Sequence, residues 1–108
     1  MPLFMSQFSY TSEAWAALVK KPEDRAEVFR ALAQKMGAKL HSLHYCFGEY
    51  DGVIMMEAPD ETAVLATLLA AISPGHVKAV KTTTLFTVEQ AMTAMRKAGT
   101  ASYRAPTG

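Results

Sequence analysis

Hydrophobic side chains along this chain switch repeatedly between strand-like and helix-like spacing. Residues 3–8 (Leu-Phe-Met-Ser-Gln-Phe) place large apolar groups on both alternating faces, the pattern of a central strand. Thr11 or Ser12 then offers a side-chain oxygen to free amides, and Glu13 suits the positive end of a helix lined by Trp15, Leu18 and Val19. Pro22 breaks that helix near Lys21 and is suited to be the first residue of a new one. From Glu23 onward Val28, Phe29, Leu32 and Met36 recur at helical spacing, and Gly37 can take the left-handed conformation that closes a helix at Met36.

Two strand-like runs follow, residues 40–47 and 53–58, around Gly48-Glu49-Tyr50-Asp51-Gly52, whose glycines and aspartate suit a reversing loop. Pro59 stops the second run. Asp60 is placed to cap a helix with Val64, Leu65, Leu68, Leu69 and Ile72 on a broad apolar face, ended by Ser73-Pro74-Gly75. Residues 77–86 are rich in Val and Thr and read as a fourth strand. Thr87 and Gln90 form a capping box for a last helix carrying Val88, Met92 and Met95 and closing at Gly99.

The order β-α-β-β-α-β-α, with right-handed crossovers, predicts an α+β, ferredoxin-like fold: a four-stranded antiparallel sheet, strands one and three central, helices on one face, and an extra C-terminal helix. The expected organisation is one domain over residues 1–99 and an irregular tail over 100–108 that docks on a neighbouring subunit, with Tyr103 as its anchor. Strand one presents Leu3 and Met5 against Phe4 and Phe8, and strand three Val53 and Met55 against Ile54 and Met56, so both sheet faces need cover. The helices supply one cover. A second copy of the chain, sheet against sheet in a dimeric α/β-barrel arrangement, is the expected other, larger dimer-based oligomers included.

Composition narrows the partners. Eleven Lys and Arg against ten Asp and Glu give a formal net charge of +1, too balanced for a nucleic-acid or anionic-lipid footprint. The longest nearly apolar stretch, residues 62–72, is shorter than the ~20 residues a membrane-spanning helix needs. Cys46 is the sole cysteine, which excludes an intrachain disulfide and, with no signal-peptide pattern at the amino terminus, points to the cytoplasm.

The run Gly48-Glu49-Tyr50-Asp51, with Val53-Ile54-Met55-Met56-Glu57-Ala58-Pro59-Asp60 after it, resembles the family named for its Gly-Tyr-Asp signature, the GYD-domain family. The likeness extends to Val80-Lys81-Thr82-Thr83-Thr84 and Thr87-Val88-Glu89-Gln90-Ala91, and Pro22 and the tail are the departures from it. It implies a ferredoxin-like domain related to small dimeric α/β-barrel proteins, with no settled activity and no cofactor.

Five residues are candidates for ligand binding: His44, Tyr50, Asp51, Lys81 and Thr83. Tyr50 and Asp51 are either hairpin-forming groups or a proton-handling pair, although adjacent strand residues point to opposite faces. His44 shares a face with Cys46, and His41 is expected on the other; two ligands do not make a zinc site, so no metal is assigned. Lys81 and Thr83 share a face and suit a small organic or anionic ligand, or else Lys81 guards a sheet edge. Gln7 and Glu57 either face a cavity or lie exposed near strand ends. The residues favour a homo-oligomeric binding or assembly module. The alternative is a small-molecule enzyme, an isomerase or cofactor-independent oxygenase, with a cavity between sheet and helices or at the dimer interface; Lys81, Thr83 and a histidine together in a closed cavity would favour it.

Overall fold

The computed structural model describes residues 1–106; the last two residues of the expected tail, 107 and 108, lie outside the described residues. The elements run β1 (Leu3–Tyr10), α1 (Ser12–Lys20), α2 (Arg25–Lys35), β2 (Lys39–Tyr45), β3 (Gly52–Glu57), α3 (Glu61–Ile72), β4 (Val77–Leu85) and α4 (Val88–Gly99). The four strands form one antiparallel sheet in the order β2-β3-β1-β4, so β1 and β3 are central as the two-sided apolar pattern requires.

Capping explains most helix boundaries. Thr11, Asp60 and Thr87 accept amide protons from Ala14, Ala63 and Gln90, and the Gln90 side chain returns a bond to the Thr87 amide, completing the capping box. The break between α1 and α2 falls where Pro22 requires, but Pro22 does not open the second helix. Asp24 caps it instead, its Oδ1 accepting from the amides of Ala26 and Glu27 at 3.0 and 3.2 Å. Those bonds satisfy donors that a proline start would leave to water. At the other end Gly37 takes φ +82° while the Ala38 amide reaches back to the Ala33 carbonyl at 2.8 Å.

β1 runs two residues further than the apolar run alone predicts, because Ser9 and Tyr10 pair with Ala79 and Val77 across a register shift. β2 is correspondingly shorter. Cys46 and Phe47 leave the ladder, and the Cys46 amide closes the hairpin loop on the Asp51 carbonyl at 2.8 Å.

Phe4, Ser6, Phe8, Ile54, Met56 and Leu40 turn toward the helices and are buried, with Val64 and Ala33 packing onto them. The opposite face carries Leu3, Met5, Gln7, Val53, Met55 and Glu57, all half-buried and uncovered by any helix. β4 contributes no buried side chain, and neither does α4. The radius of gyration is 17.8 Å, against about 13 Å for a compact domain of 100 residues.

Candidate functional site

The signature hairpin is a structural joint. Asp51 Oδ2 accepts from the Trp15 indole Nε1 at 3.0 Å and from the Tyr10 amide at 2.9 Å, while the Asp51 amide donates to the Phe8 carbonyl at 2.8 Å. One carboxylate thus ties the β2–β3 loop to the end of β1 and to α1. Around it Tyr10, Trp15, Tyr45 and Phe8 pack at tilted or edge-on angles, with Tyr10 and Trp15 ring centroids 5.1 Å apart. Burial and the neighbouring Tyr45 hydroxyl hold the Tyr10 phenol well above the ordinary tyrosine range, so it stays neutral.

Two glycines make this hairpin possible for different reasons. Gly48 has φ +110° with open space around it, a purely conformational requirement. A Cβ on Gly52 would lie 2.3 Å from Phe8 Cζ and 3.0 Å from the His44 carbonyl oxygen, so the Phe8 ring occupies the place of a side chain. Tyr50 is half-buried, and its carbonyl accepts from the Cys46 thiol at 3.3 Å.

The remaining candidates lie on the uncovered sheet face. Register aligns His44, Val53, Gln7 and Lys81 in one row across all four strands, and Ser42, Met55, Met5 and Thr83 in the next. Lys81 and Thr83 are therefore neighbours on β4, whereas His44 stands on the opposite edge, roughly 14 Å away at three interstrand spacings. Sequence periodicity put His41 on the other face from His44, and the structure corrects this. A register shift between Leu40 and Ser42 inserts an extra residue, and His41 Nε2 meets Glu57 Oε1 at 2.8 Å on the uncovered face, where His44 also lies. Glu57 thus has a partner at its strand end, and Gln7 lies between Val53 and Lys81. No group of three or more His, Cys, Asp or Glu positioned to hold a metal occurs among the described residues.

A cavity of about 600 Å³ opens on the helix side, between α2, α3 and the sheet. None of the five candidate residues lines it; its polar lining is Ser6, Tyr10, Arg25, Lys35 and His76. Sequence reasoning missed this set because the segments that supply it, β1, α2 and the turn before β4, are far apart in the chain. No helix of the described residues is long and apolar enough to cross a membrane.

An antiparallel β2-β3-β1-β4 sheet with a core-forming layer of helices on one face defines a ferredoxin-like α+β protein. The solved structure of MtbAldR shares this fold, with a TM-score of 0.55 and 14% identity over 80% of this chain; the match covers 52% of that chain, about half its length. The GYD domain matches residues 4–95, and the chain belongs to that family. A relative from Thermus thermophilus, the glutamine synthetase and cystathionine beta-lyase binding protein, is 33% identical over 78 residues, which is 72% of this chain and 82% of that one.

Proposed function

We propose that this chain is a homo-oligomeric, non-catalytic binding module that docks on an enzyme of amino-acid metabolism. The observation that carries the reading is the apolar surface left uncovered on the sheet face and on α4. Leu3, Met5, Val53, Met55 and Leu85 lie half-exposed on the sheet, Phe86 and Val88 are 74% and 77% exposed, and Met92 and Met95 follow at helical spacing. A soluble monomer rarely leaves so much apolar surface bare. The sheet face pairs with a second copy, and the α4 stripe offers further apolar surface to a partner. Lys81, on edge strand β4, deters open-ended strand addition.

The choice of an enzyme as the other partner rests on kinship with the Thermus protein, whose name states two enzymes that it binds. The exposed free thiol of Cys46 favours a reducing cytoplasm. A catalytic reading would bring Lys81, Thr83 and a histidine into one cavity, whereas here Lys81 and His44 stand exposed on opposite sheet edges.

Surface plasmon resonance with this chain immobilised, and glutamine synthetase or cystathionine β-lyase in solution, tests the enzyme contact. Saturable binding of one of them is expected. Absence of binding to both at tens of micromolar would overturn that part of the proposal.

A further inference from the structure

The cavity between α2, α3 and the sheet is chemically polarised. Its walls are Phe8, Phe29, Leu32, Ile54, Leu68 and Val80, and its ionisable lining consists of Arg25, Lys35, His76 and the Tyr10 phenol, with no Asp or Glu. Tyr10 pairs with Val77, and the His76 carbonyl accepts from the Thr11 amide at 2.9 Å, so His76 and Tyr10 are held together where β1 ends and β4 begins. Arg25, the first residue of α2, is a neighbour of the Tyr10 hydroxyl, which reaches the Tyr45 hydroxyl at 3.4 Å.

We propose that this cavity binds a small amphipathic carboxylate, its apolar body between α2 and α3 over Ile54 and Val80 and its head group on Arg25. Three features support the class of ligand. The volume, about 600 Å³, falls within the ~300–1,000 Å³ of small-molecule sites. The walls are aliphatic and aromatic, while the basic groups are unopposed by any carboxylate in the lining. Glu23 does engage Arg25, through Nη1 at 2.8 Å, but both side chains are at least 39% exposed, and a guanidinium has five N–H donors to share. The Tyr10 hydroxyl, neutral and paired with Tyr45, adds no negative charge to the lining.

The site differs in place and chemistry from the Lys81 and Thr83 face, and it stands or falls independently of the enzyme-docking proposal. Titration calorimetry and amide-resolved NMR of the full chain, with decanoate, decanol and decyltrimethylammonium as probes, test it. Decanoate is expected to bind saturably with shifts at Ser6, Ile54, Val80 and His76, at least tenfold tighter than decyltrimethylammonium. Arg25→Met should weaken decanoate about tenfold or more, the loss of one charge-assisted contact, and leave decanol unchanged. Ala71→Trp, which fills the cavity from α3, should abolish binding of decanoate and decanol together. Equal affinity for the two charged probes, shifts confined to Met5, Val53 and Met55, or no saturation below millimolar decanoate would each overturn the assignment.

Discussion

Replacing Asp51 with alanine separates a structural joint from a proton-handling group. The carboxylate oxygen Oδ2 serves two donors, the Trp15 indole and the Tyr10 amide, at 3.0 and 2.9 Å. A hydrogen bond to a charged acceptor contributes about 1.5–3 kcal/mol, and Asp51 is half-buried, so water recovers part of each bond once the carboxylate is gone. Asp51→Ala is therefore expected to cost about 2–4 kcal/mol in all, which for a domain of this size lowers Tm by on the order of 10–20 °C. Asp51→Asn keeps one oxygen able to face both donors and loses only the charge, so it should cost about half as much. Trp15 is the sole tryptophan and sits on the bond in question, so urea titration followed by its emission reports both the global midpoint and the local change. Protein concentration must be held fixed, since self-association raises apparent stability. An Asp51→Ala midpoint within error of the parent, or an asparagine variant less stable than the alanine one, would refute the joint.

Gly52→Ala should cost about 1–3 kcal/mol by urea titration, because the new methyl would sit 2.3 Å from Phe8 Cζ and the buried ring must shift. Pairing it with Phe8→Leu, which frees that space, should recover part of the loss. Gly48→Val should also cost about 1–3 kcal/mol, through the positive φ and not through contact, so Gly48→Ala, with far less bulk, should cost nearly as much. If the sheet face pairs with a second copy as proposed, the parent chain should sediment as an oligomer at low micromolar concentration and Val53→Asp as a monomer. A parent chain that is already a stable monomer there would refute self-association.

How far these features are legible in sequence follows from the range of each cause. Caps are local, so Thr11, Asp60 and Thr87 are readable as helix starts. Asp24 was obscured by Pro22, whose stronger signal says where a helix must break without saying where the next begins. Strand order follows from connectivity, but face assignment in β2 does not: one inserted residue between Leu40 and Ser42 reverses the alternation on which the position of His41 depends. Asp51 announces a turn in any sequence. That it also holds Trp15, 36 residues earlier, is a property of the assembled sheet. The cavity is least legible of all, since it is space left between α2 and α3, and the pattern of apolar residues records what could pack and not how closely.

The last helix is where sequence pattern and structure disagree most productively. Val88, Met92 and Met95 make an apolar stripe of the kind that normally faces a core, yet no residue of α4 is buried. A helix of 12 residues is marginal on its own in water, and the capping box with Glu89 in its first turn and Arg96 and Lys97 in its last favours a formed helix. Selection for helicity without burial is explained if the stripe packs on a second molecule. The double variant Met92→Asp, Met95→Asp disrupts the stripe at two positions that are not buried in the subunit. Under conditions that keep the chain monomeric, such as dilute Val53→Asp background, it should leave the urea midpoint unchanged. In the otherwise native chain it should weaken self-association or enzyme capture at least tenfold by sedimentation or surface plasmon resonance. An equal fall in monomer stability would show that α4 folds back onto its own sheet; unchanged association in both assays would leave the stripe no interface to serve.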